Sequence, residues 1–223
     1  FNRFDMDGKV YPTDMNSAKE MRKQARKYGI ELLLIRQKHL GSDCLPRHIA
    51  AMAEHIENKG VHIACNEEVR EIITENGHVT GVATDKQEYL TDNLILAPGR
   101  VGADWMSELA GKMGLGVTQR GIEVGVRVEV HNEIMQDITD IIYDPTFFIQ
   151  TQKYDDQTRT FCTNRGGFVS LENYQDFVCV NGHAYMNTKS ENTNFAFLSK
   201  VVLTEPVTNN QEYGESIGRL ASL

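Results

Sequence analysis

One run constrains this chain more than any other: Leu94-Ile95-Leu96-Ala97-Pro98-Gly99-Arg100-Val101-Gly102. Continuous hydrophobics are the signature of a parallel strand covered on both faces. Small residues at the carboxyl end of such a strand let backbone approach a nucleotide in open α/β sheets. Residues 94–97 therefore read as an apolar strand ending in a ligand-approaching turn, the late half of a dinucleotide fold. The early half is not visible. A phosphate-cradling fingerprint needs G-x-G-x-x-G between a strand and a helix. The nearest approach, Gly114-Leu115-Gly116, continues as Val117-Thr118-Gln119 and follows a helical stretch instead of a strand. The chain accordingly reads as an internal segment of a larger protein.

Around that run the spacing of apolar residues changes. Residues 16–28 read as a basic helix carrying Lys19, Arg22, Lys23, Arg26 and Lys27, with Gly29 at the C-cap position and the charges on a solvated face. Residues 30–36 read as a buried strand. His39-Leu40-Gly41-Ser42 is a turn into a helix from 43 to about 58, whose Leu45, Ile49, Met52, Ala53 and Ile56 recur near helical spacing. Short β-rich runs follow at 61–65, 69–73, 79–83 and 89–96, with Asn76-Gly77 as a hairpin signal, and 103–113 is again helical. From 121 to 130, Val124, Val126, Val128 and Val130 alternate with Arg127 and Glu129, the pattern of a half-buried strand. Further strands are expected at 146–150, 159–162, 167–171, 177–180 and 194–198. An exit linker is expected through Thr204-Glu205-Pro206 and Asn209-Asn210-Gln211. The fold class is α+β, drawn from an α/β nucleotide-binding architecture: residues 1–118 form a partial dinucleotide-binding domain with a β-meander, and residues 119–223 form a β-rich second domain.

Composition removes several classes of function. With 40% apolar and 24% charged residues the chain is an ordinary globular one. A formal charge of -8 argues against a nucleic-acid partner, which calls for a basic footprint. No apolar run approaches a membrane span, so no membrane partner is expected. Cys44, Cys65, Cys162 and Cys179 contain no C-x-x-C pair, and with no signal-like start or glycosylation sequon the expected compartment is the cytoplasm. No metal site is expected. His48 and His55 lack an H-E-x-x-H context, and Asp5-Met6-Asp7-Gly8 lacks the remaining ligands of a calcium loop and reads as a turn. Gly214-Glu215-Ser216-Ile217-Gly218 fits a nucleophile elbow in letters only, because a polar run precedes it where a buried strand is required. It reads as a helix start. Cys162 has no local histidine to serve as a base, and Trp105 reads as a core residue.

Several motifs recur in a fixed order: Lys38-His39-Leu40-Gly41-Ser42-Asp43, Ala97-Pro98-Gly99-Arg100, Gly125-Val126-Arg127-Val128-Glu129, Phe161-Cys162-Thr163-Asn164-Arg165-Gly166-Gly167, Asn181-Gly182-His183 and Asn192-Thr193-Asn194. Together they resemble the NAD/FAD-utilising dehydrogenase flavoproteins, relatives of the glutathione-reductase type of FAD fold. The resemblance implies an FAD domain through about residue 118 and a substrate domain beyond it, with FAD as cofactor and NAD or NADP as co-substrate. It places Ala97, Pro98 and Gly99 against the FAD pyrophosphate and the backbone of Val69, after Asn66-Glu67-Glu68, beside adenine. Asn164, Gly166 and Gly167 would also line the cofactor. His39, Arg165 and His183 are the catalytic candidates, Arg165 to hold a carboxylate and His183 to exchange protons. Asn181 and Asn194 are further polar candidates. The bland alternative at each position is a turn whose polar groups satisfy their own backbone. The partner is a small-molecule substrate. The family's N-terminal and C-terminal glycine motifs lie outside these residues, so the piece alone is expected to bind little FAD, and its uncovered strand edge points to self-association. The competing reading is a non-catalytic binding or interaction module of flavoprotein-like architecture.

Overall fold

The computed structural model describes residue 4 and residues 8–118, 121–174, 176–204 and 209–223. The expected turn at Asp5-Met6-Asp7 and the Glu205-Pro206 part of the expected linker lie outside the described residues. Two compact units emerge, one of Phe1–Met52 with Gln119–Leu223 and one of Ala53–Thr118. A single division at 118 therefore does not describe the chain: residues 1–52 group with the β-rich part. In chain order the elements are β1 (Val10–Tyr11), α1 (Met15–Arg26), β2 (Ile30–Leu33), β3 (Gln37–Lys38), α2 (Leu45–Glu57), β4 (Val69–Glu75), β5 (His78–Thr84), β6 (Glu88–Leu90) and α3 (Ala103–Lys112). Then come β7 (Ile122–His131), α4 (Asn132–Thr139), β8 (Thr146–Gln150), β9 (Gln157–Arg165), β10 (Phe168–Asn173), β11 (Val178–His183), β12 (Asn192–Val201) and α5 (Asn210–Ala221).

Helix α1 starts where Asp14 accepts hydrogen bonds from the Asn16 and Ser17 amides, and it ends with Lys23 and Arg26 in its last turn. Both features match the helix dipole and fill groups left open at a helix start. Its Ala18 packs on Leu32 of β2 and on Ile142, with Met21, Ala25 and Phe147 around them. Strand β2 joins the chain's largest sheet, in the order β2-β8-β9-β12-β7, and pairs antiparallel to β8 with Leu32 opposite Phe147. That pairing draws residues 1–52 into this unit. It also corrects the expected strand at 30–36: the strand is Ile30–Leu33, and Leu32 is buried while Glu31 and Leu33 are exposed, because an edge strand covered on one face alternates.

A local irregularity in this sheet matters for the site. Asn194 on β12 opposes Asn164 on β9 and Ala196 opposes Phe161, so Cys162 and Thr163 together face one residue, Phe195. This is a β-bulge, with Cys162 at φ 51°. It turns Asn164 inward and delivers Arg165 and Gly166 at the strand's end. Strands β10 and β11 form a separate antiparallel ribbon in which Phe168 opposes His183. Helix α4 is not anticipated by the sequence reading, nor is the ribbon of β1 with β3. The polar run 209–211 is a helix start and not a linker: Asn209 caps α5 by accepting from the Glu212 amide at 3.1 Å. Within α5, Ser216 donates to the Tyr213 carbonyl, and Gly214 and Gly218 allow close approach of Ile122 and the Phe177 ring. The helical reading of that segment is thus the one seen.

The Ala53–Thr118 unit holds an antiparallel meander, β4-β5-β6. Asn76 and Gly77 both have positive φ, 51° and 79°, which fits the two-residue hairpin turn expected there. Ile72 is its buried apolar residue. Two expected strands are absent: residues 61–65 and 94–97 form no strand, and the last expected run ends at Leu90. Ile95 is 92% exposed. Every strand pair among the described residues is antiparallel. A parallel strand exists only with a ladder beside it, and here 94–97 has none.

Candidate functional site

The sequence candidates fall in both units, and each unit is described separately. In the larger unit His39, Arg165 and Gly166 line one cavity of about 460 Å³, together with Tyr11, Tyr143 and Lys189. The β1–β3 ribbon, with Tyr11 opposite Gln37, places Tyr11 and His39. Gly41 lets the following loop press against residues 184–186: a Cβ there would lie 2.3 Å from the Met186 amide nitrogen. Ser42 donates to the Ala184 carbonyl at 2.9 Å, and the Met186 amide donates to Asp43 at 2.8 Å. The His39 ring stacks on Tyr143 with centroids 3.8 Å apart, and Tyr11 tilts against the same ring at 5.4 Å.

Electrostatics in this cavity are set by burial among cations. Burial, then the Lys189 ammonium, holds the His39 pKa at about 4, with Asp43 opposing. His39 is therefore neutral at pH 7. Burial pushes the Tyr143 phenol well above its ordinary range, aided by Tyr11 and Asp144. Burial also lowers Lys189, with Asp43 acting against the shift and Arg165 adding to it. The His39 Nε2 and Tyr143 hydroxyl are buried with no hydrogen-bond partner among the described residues. Arg165 is paired with Asp140.

Asn132, at the start of α4, ties the cavity's rim together. Its side-chain oxygen accepts from the Gly166 amide at 3.1 Å and the Thr193 hydroxyl at 2.8 Å, and its amide nitrogen donates to the Ser190 carbonyl at 2.9 Å. Gly166 has φ 60°, and a Cβ there would meet the Lys189 stem at 3.0 Å. Beneath the rim lies a buried polar cluster. Asn194 is fully buried, and its Oδ1 accepts from Arg127 Nη1 at 2.7 Å and from Asn164 at 3.4 Å. Asn164, 6% exposed, also donates to the Cys162 carbonyl at 2.8 Å. Its amide nitrogen thus serves the bulge. Gly167 donates to the Asn164 carbonyl at 3.2 Å and accepts from the Ser190 hydroxyl at 2.6 Å. His183 is exposed at the end of β11, its ring parallel to Tyr185 at a centroid distance of 6.2 Å, and does not line the cavity. Tyr11, Asn132, Tyr143 and Lys189 escape sequence reasoning. Only Asn132 carries a local signal, as a capping-type residue before the spaced Ile134 and Ile138.

In the smaller unit, Ala97, Pro98 and Gly99 are exposed in a turn that enters α3 through residues 100–102. Gly99 has φ 69° and ψ −167°, a region reserved in practice for glycine. No atom stands within 4 Å of where a Cβ would be. Gly102 is held close to the Pro98 ring, where a Cβ would lie 2.4 Å away. Val69 opens β4, is 36% exposed and pairs with Thr84. The turn before it is closed by Glu67, which accepts from the Thr84 hydroxyl at 2.7 Å, and by Asp85, which accepts from the Glu68 amide at 3.0 Å.

Among the described residues no cluster of three or more histidine, cysteine or acidic side chains could hold a metal, and no helix is long and apolar enough to cross a membrane. All four cysteines are free. A family model described as pyridine nucleotide-disulphide oxidoreductase matches residues 16–136, more than half of the chain. The match includes His39, Val69, Ala97, Pro98 and Gly99, whereas Asn164, Arg165, Gly166, Gly167 and His183 lie beyond it. No curated protein matches the chain.

Proposed function

We propose, from the premise that the chain belongs to the pyridine nucleotide-disulphide oxidoreductase family, that it serves FAD-dependent hydride transfer between flavin and a small organic substrate, with NAD or NADP as the second redox partner. The observation that carries this reading is the 97–99 turn. Its side chains are small and exposed, Gly99 is in a glycine-only conformation with open space beside it, and a helix begins just after it. Such a turn lets a phosphate reach backbone N–H groups at the helix start, which side chains would otherwise block. These residues fit a pyrophosphate, and the exposed Val69 fits a backbone contact to adenine. FAD, when bound, supplies the two-electron redox centre.

The chain's own residues bind and orient. Arg165 presents a forked cationic donor, and Gly166 gives it a rim without a protruding side chain. His39, neutral at pH 7, acts as a hydrogen-bonding and stacking surface, not as a proton donor. Asn164 and Gly167 hold the bulge that aims Arg165.

The test uses the full-length protein refolded with excess FAD. Retained flavin absorbance and quenched flavin fluorescence are expected. Gly99→Val is expected to weaken FAD retention about tenfold, since a β-branched residue at that φ costs ~1–3 kcal/mol. A colourless wild-type protein with unquenched flavin overturns the reading and leaves a non-catalytic binding module.

A further inference from the structure

We propose that the cavity bounded by Tyr143 and Arg165 is a binding site for a small planar carboxylate, most simply an aromatic acid. As an assignment of substrate class it rests on the oxidoreductase reading, but the binding it predicts needs no flavin and can be measured separately.

Charge is the first argument. Three cationic side chains, Lys9, Arg165 and Lys189, line the cavity, and among the described residues no carboxylate does. The acidic groups that act on its lining are already engaged, Asp140 with Arg165, Asp43 with the Met186 amide and Asp144 with the Thr163 amide. Arg165 has five donors, and one ion pair leaves a fork available for an incoming carboxylate. The lowered pKa values of His39 and Lys189 both include repulsion from a neighbouring cation. Among the described residues, the charged side chains that line the cavity are thus all cationic.

Shape and polarity give the second argument. A volume of about 460 Å³ is that of a small-molecule site. The stacked His39 and Tyr143 rings and the Met186 side chain supply flat and apolar walls. Buried polar atoms without partners are rare enough in folded proteins to call for a ligand or water. Two belong to these same residues, His39 Nε2 and the Tyr143 hydroxyl.

The use of the rim amides separates a carboxylate from a phosphate. Phosphate sites rely on converging backbone N–H groups. Here the rim amides are used internally, Gly166 to Asn132, Gly167 to Asn164 and Ser190 to Gly166. What remains is a guanidinium fork and ammonium groups above aromatic walls, which suits a flat anion.

Isothermal titration calorimetry on the flavin-free protein with benzoate and benzamide tests the proposal. Benzoate is expected to bind with a Kd of about 1 mM, the scale for a ligand of its size. Benzamide, its neutral isostere, is expected to bind about tenfold more weakly, as is benzoate to Lys189→Met. If circular dichroism shows Lys189→Met unfolded, Lys9→Met carries the same expectation. Equal affinity for benzoate and benzamide overturns the proposal. So does undiminished benzoate binding by a folded charge variant. Loss of flavin binding by the full-length protein with benzoate binding intact would sink the flavin reading and leave this site standing.

Discussion

Asn194→Ala is the sharpest probe of how the site is held. Asn194 is fully buried on β12, and its Oδ1 accepts a hydrogen bond from Arg127 Nη1 at 2.7 Å and a longer one from Asn164 at 3.4 Å. A hydrogen bond to a charged group contributes ~1.5–3 kcal/mol, and leaving a buried donor unpaired adds to the loss. Arg127 keeps its bond to the Cys162 carbonyl at 3.2 Å, which moderates the effect. The expected cost is about 3 kcal/mol. For a chain of this size that is a fall in Tm of about 6–12 °C, at roughly 2–4 °C per kcal/mol. Far-UV circular dichroism during urea and thermal melts is the proper assay, because the single tryptophan, Trp105, lies in the other unit. In a double-mutant cycle with Arg127→Met the pair should show a coupling of ~1–2 kcal/mol. The reasoning is refuted if Asn194→Ala lowers Tm by less than about 2 °C or if the two substitutions are additive. Either result would mean that the buried cluster does not hold the bulge that presents Arg165.

Two further outcomes follow from the same structure. His39 is held at about 4 by burial and Lys189, against an ordinary value of 6.5, so the unfolded chain binds the extra proton first as pH falls. Its contribution to stability is complete above pH 6.5 and is lost progressively down to about pH 4. Urea midpoints across that window should decline more steeply for wild type than for His39→Gln, and parallel curves would contradict the assignment. Ser216 lies inside α5 with its hydroxyl donated to the Tyr213 carbonyl at 2.7 Å. A fluorophosphonate probe should leave it unlabelled, and labelling abolished by Ser216→Ala would overturn the helical account of that segment.

Local chemistry is legible in the order of the residues. The basic last turn of α1, the helical spacing in α2 and the Asn76-Gly77 turn rest on interactions between residues a few positions apart. Such features survive in a single sequence because the partner is close by in the chain. The valine alternation of β7 holds only in part: Val124, Val128 and Val130 are half-buried, but Val126 is 63% exposed and Arg127 bonds to the buried Asn194. The candidate site was legible in part, since His39, Arg165 and Gly166 meet at one cavity. Asn164 stands in a motif whose resemblance implies a ligand-facing group, but its amide nitrogen is turned into a buried cluster by a bulge that no local signal announces.

Other features depend on distant partners. An apolar run such as 94–97 states that it needs cover, but strand structure needs a ladder, and the letters do not name one. Residues 30–33 look like part of the first domain until their hydrogen bonds to β8 place them in the larger unit. The cavity draws Tyr11, Tyr143 and Lys189 from three separated stretches of chain. Residue periodicity encodes which face of an element is apolar, whereas the packing of non-local elements alone selects which faces meet and which charges gather between them.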